Sequence, residues 1–292
     1  MTNTPQFQGQ STLERAKPGD RRKCLRAPSG PSSLSDLFTC VYVMVDDYLK
    51  SSVAVGRFVL PSAHNQKGSY AELMTIALVG ELRSQHHVGD WFDLIKVEYR
   101  DLFPVLPHRT RYYRILKSLE RIFADFALRF SGGDSLHVID SKPLPICKGV
   151  RWKRARAMTE ATSGRGSLGP FYGFKLHAVT DQQGLICRFA IVPAHEHDVT
   201  VGRLLLADTP ALVIGDKGYT GGSVYAQPKD NARHPKVWTS ALTWLRKSIE
   251  SVFSSLLRSR HLLAGQLNSF SSIRASVCRK VAAHNLAWFL TH

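Results

Sequence analysis

The chain has 292 residues, 43% of them hydrophobic, which is enough to fill a core in one large domain or two modest ones. Its 39 lysines and arginines against 23 acidic residues give a net charge of +16, which favours a polyanionic partner, nucleic acid first; a solubility or ribosome-like structural role is the bland reading of the same excess. Five cysteines, scattered and without a C-x-x-C pair, exclude a disulfide framework and a zinc ribbon and point to a reducing cytosol.

Residues 1–34 are rich in Ser, Pro, Gly, Gln and Arg without a period, so a disordered basic tail is predicted there, with no apolar core of a signal peptide. From 35 to 131 apolar residues recur at helical spacing, predicting an all-helical N-terminal, DNA-binding domain. The first helix carries Leu37, Val41, Met44, Val45 and Leu49, with Ser35 placed to cap it; its apolar run stops at Asp46 and is too short to span a bilayer. Ser69 and Glu72 have capping-box spacing ahead of a second helix. A third holds Trp91, Phe92 and Ile95 and ends before Pro104. A fourth is predicted from Arg109 to Phe130, with Ile115, Leu116, Leu119, Phe123 and Phe126 on one face. Arg109, Arg111, Arg114, Lys117 and Arg121 lie on the other, as a solvated face or a DNA contact.

The texture changes at Gly132-Gly133. Ser135 to Asp140 is a β-branched run ending in a carboxylate, and Phe171–Thr180 and Leu185–Val192 form a hairpin across Asp181-Gln182-Gln183-Gly184. Val199–Leu206 is helical, with Asp198 its expected N-cap, and Ala211–Gly215 is a buried strand leading into Asp216. Helices at Leu242–Leu257 and 270–290 close the chain. Residues 132–292 therefore read as an α/β domain.

Asp140 and Asp216 each end an apolar strand, where open α/β sheets present their ligands. Two such carboxylates suit Mg²⁺, which binds through one or two carboxylates, water and phosphate oxygens. Two ions about 4 Å apart activate the attacking oxygen and stabilise the leaving one. Glu250 sits at the border of the apolar stripe of its helix, with Arg246 one turn earlier. The pair is a third ligand with its phosphate-binding arginine, or an ordinary surface i,i+4 salt bridge.

Lys142, Lys148, Arg151, Lys153, Arg154 and Arg156 crowd a short stretch before a Gly/Ser-rich segment (Thr162 to Gly169), as a basic loop clamping DNA or a solvated one. Lys217 adjoins Asp216, to approach phosphates or to balance charge. Lys175 and His177 share one face of a strand, lining the cleft or facing solvent. His195 and His197 alone make a weak metal pair. No P-loop, G-x-G-x-x-G or G-x-S-x-G occurs, so neither a nucleotide cofactor nor a serine nucleophile is expected.

Four strings, VIDSKPLP around Asp140, FYGFKLHAVTDQQG at 171–184, VIGDKGYTG around Asp216 and LRKSIESVFSSL around Glu250, together with AAHNLAWF at 282–289, resemble insertion-sequence transposases of the DDE class. The resemblance covers roughly half the chain. It implies an RNase H-like catalytic domain with a mixed sheet flanked by helices, and two Mg²⁺ ions (or Mn²⁺) held by Asp140, Asp216 and Glu250. It also implies cleavage at the element's inverted repeats, joining of a 3′ end to target DNA, a homodimer on double-stranded DNA, and a bacterial cytoplasmic, nucleoid-associated setting with no membrane. Arg246 matches the arginine four residues before the glutamate. The tyrosine and lysine of that signature are replaced by Thr243 and Leu257, with Trp244 and Arg258 adjacent, so Arg258 is the candidate DNA contact. The interval from Asp216 to Glu250 is short for this branch. A nuclease of the same fold and a decayed, non-catalytic DNA-binding remnant stay open as alternatives.

Overall fold

A computed structural model of the chain describes residues 33–61, 66–131, 135–147, 158–166, 169–209, 211–220, 223–228, 237–262 and 269–291. The predicted tail, except Ser33 and Leu34, lies outside them, as do Lys148, Arg151, Lys153, Arg154 and Arg156 of the basic segment.

Five helices come first: α1 (Leu34–Ala54), α2 (Tyr70–Leu82), α3 (Val88–Glu98), α4 (Arg109–Ser118) and α5 (Glu120–Leu128). The cap of α1 is Ser33 rather than Ser35. Ser33 is extended and exchanges side-chain bonds with Asp36, both 3.1 Å, whereas Ser35 is already helical. Ser69 and Glu72 form the predicted box on α2. That helix is buried on nearly every side, as an almost uniformly apolar segment must be. The expected single helix over 109–130 is broken at Leu119 (φ −87°, ψ 10°), where the Ser118 hydroxyl donates back to the Ile115 carbonyl at 2.8 Å.

The sheet is mixed. β1 (Leu136–Pro145) lies centrally, antiparallel to β3 (Gly169–Thr180) and parallel to β5 (Leu212–Gly215). β4 (Ile186–Pro193) pairs antiparallel with β3, and β6 (Tyr225–Ala226) parallel with β5. The Gly/Ser-rich segment read as a loop instead forms β2 (Thr162–Gly166), paired with the start of β3. A ladder partner overrides its loop-like composition there. Gly164 in β2 tolerates no side chain, since a Cβ would lie 2.4 Å from the Ala194 carbonyl oxygen. The β3–β4 turn is fixed by Asp181, whose Oδ1 accepts from the amides of Gln183 (3.0 Å) and Leu185 (2.8 Å), while Gly184 adopts φ +82°.

The two sheet faces are covered differently. Val138, Leu144, Phe174, Leu176 and Ala178 face the helices and join a buried apolar cluster running from Phe38 in α1 to Leu286 in α8 (Phe270–Thr291). Ile139, Val179 and Val213 face the other way, onto a smaller cluster with Tyr219, beside α6 (Asp198–Leu205). α7 (Ser240–Arg258) packs against β1 and β5. The N-terminal helices and the sheet thus share an apolar core through α8, which lies on α2 and α5.

Asn285 of α8 ties these layers. Its amide nitrogen donates to the carbonyls of Ala127 and Ile186 and its oxygen accepts from the Ile186 amide, all at 2.9 Å and fully buried. Asn285→Ala removes three buried hydrogen bonds to the backbone of Ala127 and Ile186. It is expected to lower unfolding free energy by at least about 2 kcal/mol in urea titrations.

Candidate functional site

Asp140 lies mid-strand in β1, on the same face as Val138 and therefore toward α7. β1 and β5 run parallel with Ile139 opposite Gly215, so Asp140 and Asp216 are the next residues on neighbouring strands, which lie about 5 Å apart in any sheet. The β5 ladder stops at Gly215. A Cβ there would lie 2.7 Å from Val224 and 3.0 Å from Ile139, so glycine lets the chain turn into Asp216. A 3₁₀ turn (Lys217–Tyr219) follows.

Burial, opposed by a bond from the Ser141 amide and reinforced by the Asp216 and Asp198 carboxylates, pushes the Asp140 carboxyl up to about 6; Arg246 pulls it down. Arg246 and Glu250 are one turn apart on α7, with guanidinium and carboxylate 2.9 Å apart. Arg246 is only 16% exposed and within electrostatic range of Asp140, whereas Glu250 is 53% exposed. The structure therefore brings Asp140, Asp216 and Arg246 together, with Glu250 joined through Arg246 rather than closed on the aspartates. Among the described residues no three His, Cys, Asp or Glu side chains are spaced to hold a metal ion as they stand. The donor chemistry nonetheless fits a hard divalent cation. A buried carboxylate crowded by like charges is relieved by one, and all the candidate donors are carboxylate oxygens.

Behind the carboxylates, on the opposite sheet face, lies a polar network that the sequence hinted at only in pieces. His177 is fully buried beside Tyr219, its Nδ1 2.8 Å from the tyrosine hydroxyl. Burial lowers the imidazole to about 4, partly offset by Asp198, so His177 is neutral at physiological pH. Burial first, then Asp198 and Asp140, raises the Tyr219 phenol well above its ordinary range. Asp198 does not cap α6, because His197 holds that position. The Asp198 carboxylate accepts instead from Lys175 Nζ at 2.8 Å. Lys175 also donates to the Glu196 carbonyl and is 12% exposed, so the ammonium expected to line the cleft or face solvent is held inward by these two oxygens. The sequence signal for this network was the shared face of Lys175 and His177 and the tyrosine three residues after Asp216. The role of Asp198 was hidden by its cap-like position.

Tyr219→Phe removes the hydroxyl partner of His177 from beneath Asp140, which lies mid-strand rather than at the expected strand end, and Asp216. A loss of about 1–2 kcal/mol in unfolding free energy is expected, read by denaturant titration; unchanged stability would show that the contact contributes nothing.

Lys142 is half-buried, two residues beyond Asp140 on the same strand face; Lys217 is half-buried beside Asp216; Arg258 is exposed in the last turn of α7. No helix among the described residues is long and apolar enough to cross a membrane.

Residues 131–278 match the family described as the transposase DDE domain. No curated protein and no solved structure matches the chain. The matched segment spans half the chain and contains β1 with Asp140, the turn after β5 with Asp216, and α7 with Arg246 and Glu250. The chain belongs to the DDE transposase family.

Proposed function

We propose that the chain is an insertion-sequence transposase that cuts DNA at its element's inverted repeats and joins the freed 3′ end to target DNA, using an RNase H-like domain over about residues 132–292. The observation that carries this reading is the placement of Asp140 and Asp216 on adjacent parallel strands with the Arg246–Glu250 turn of α7 packed across them. Sheet order supports the fold assignment. Three antiparallel strands (β4, β3, β1) continue into two parallel ones (β5, β6), with helices on both faces.

Asp140 and Asp216 would hold divalent cations, Mg²⁺ or Mn²⁺, with Glu250 as third ligand once it leaves Arg246. When bound, such a pair supplies Lewis-acid activation of the attacking oxygen and charge stabilisation at the leaving one. Released from Glu250, Arg246 is left in the cleft to pair with a DNA phosphate. Lys142 and Lys217 flank the aspartates, and Arg258 extends the basic surface along α7; Arg151, Lys153, Arg154 and Arg156 are proposed to act with them. Exposed Arg111, Arg114, Lys117 and Arg121 make the N-terminal helices a second DNA-contact surface. Because two ends must be held at once, the working form is a dimer on DNA.

The test is a plasmid carrying the gene with its native flanks, incubated with the protein and Mg²⁺. Joined products that EDTA abolishes are expected. Cuts without joining would make the chain a nuclease, and DNA binding without either would make it a non-catalytic remnant.

A further inference from the structure

The face of α7 turned away from Arg246 and Glu250 borders an open groove of about 700 Å³, flanked by the β3–β4 turn and the end of α8. Its size falls within the about 300–1,000 Å³ of ordinary ligand clefts. None of the described residues lining it is acidic, in contrast to the carboxylate-rich side of the same helix. Trp244 and Lys247 stand one turn apart on this rim, and Arg260 and Trp288 line it further in. Trp244 is 74% exposed, on a helix whose other large apolar side chains turn inward. Serine hydroxyls continue the stripe at Ser248, Ser251 and Ser255. On an ideal helix Arg246 and Glu250 lie about 200–240° round from Trp244, so the indole faces away from them, while Lys247 stands between the two faces, about 60° from Glu250.

We propose that this groove seats an unpaired DNA strand, with Trp244 stacking on a base and Lys247 meeting its phosphates. Three features point to that occupant. The rim carries the exposed Lys247 and the described lining holds no carboxylate, so it suits a polyanion. An exposed indole beside a lysine is the pairing that single-strand sites use, because every base offers a π-face whatever its sequence. Hydroxyls and side-chain amides supply donors to sugar and phosphate oxygens without sequence demands. The inference rests on the proposed DNA-cutting activity, which exposes unpaired ends, but it concerns a surface that the cutting residues do not share.

A fluorescein-labelled oligothymidylate and a duplex of the same length are titrated with the full chain and read by anisotropy. Trp244→Ala is expected to weaken oligothymidylate binding by about tenfold, within what one base-on-aromatic stack contributes, and to change duplex binding less than about twofold. Trp244→Phe is expected to restore most of the affinity while reducing the quenching of tryptophan emission on binding to what Trp288 contributes. Trp244 is exposed enough that the melting temperature should not move.

Equal oligothymidylate binding by wild type and Trp244→Ala overturns the proposal. So does a loss seen only in Lys247→Glu, which would mark a plain anionic-ligand surface. A change of sedimentation coefficient in Trp244→Ala overturns it too, because the groove would then be covered by a second copy of the chain. Cleavage is read separately from Asp140 variants, so failure of the groove and failure of the cutting reading give different results.

Discussion

Glu81→Gln is expected to destabilise the folded chain by about 3–5 kcal/mol, the usual cost of removing one partner from a buried ion pair. Glu81 ends α2 with only 3% of its side chain exposed, and α8 answers it with two cations: Arg279 Nε at 2.7 Å and Lys280 Nζ at 2.9 Å. A third, Arg260, donates to the Glu81 backbone carbonyl at 2.5 Å, and Lys280 also donates to the Arg260 carbonyl at 2.5 Å. Glu81 thus serves three buried cations, Arg279 and Lys280 through its carboxylate and Arg260 through its main-chain carbonyl, and joins α2, the end of α7 and α8. Burial already lowers Lys280 and Arg260 from their ordinary values, and Glu81 is what holds them up. Glutamine keeps the shape and discards the charge, so Lys280 must remain charged without its carboxylate or release its proton on folding. Where the folded variant releases that proton, the unfolded chain binds more protons than the native one, so the deficit should shrink as pH rises toward the alkaline range, through the lowered native value of Lys280. Denaturant titrations at two pH values check both statements. A loss below about 1 kcal/mol would mean that the cluster is not the tie its geometry describes. Adding Lys280→Met should recover part of the loss, because an apolar side chain there leaves one fewer unpaired charge.

The elements that the sequence disclosed most clearly were those whose signal is local. The Ser69–Glu72 box, the Asp181–Gly184 turn and the apolar strands ahead of Asp140 and Asp216 can each be read from a few consecutive residues, and all form. What stayed hidden depends on partners distant in sequence. β2 looks like a loop until the start of β3 pairs with it, and the break at Leu119 interrupts an otherwise continuous apolar face. Asp198 has the residue type and position of a cap, yet Lys175, 23 residues earlier, claims its carboxylate. The same holds at the site. Context at the strand ends proposed Asp140 and Asp216, spacing left the Arg246–Glu250 turn open between a ligand and a surface salt bridge until the family resemblance implied the former, and the parallel β1–β5 register places the two aspartates side by side. That Glu250 binds Arg246 instead of turning to the aspartates, and that His177 and Tyr219 support them from the far side of the sheet, follows from side-chain packing that no periodicity encodes.

Asp140→Asn separates activity from stability, because its two effects have opposite signs. Asparagine fits the space and keeps an oxygen for the Ser141 amide, which now bonds Asp140 Oδ1 at 2.7 Å, but it cannot supply a full negative charge to a cation. Metal ions contribute several kcal/mol of transition-state charge stabilisation. Losing about 4 kcal/mol corresponds to a rate falling by about 1,000-fold, and Mg²⁺-dependent cleavage by Asp140→Asn is expected to drop at least that far. Without metal, the wild-type chain buries a carboxylate beside Asp216 and Asp198, and that crowding disfavours the folded state. The neutral side chain removes it, so the metal-free variant should melt above the metal-free wild type, the stability–activity opposition expected where a site is built for charge. Adding Mn²⁺ should then raise the melting temperature of wild type and leave that of the variant unmoved, since only a folded state that binds the ion gains from it. Cleavage by Asp140→Asn within tenfold of wild type, or an equal Mn²⁺ shift in both proteins, would remove Asp140 from the metal site. The catalytic reading would then have to be rebuilt around Asp216 and Glu250 alone.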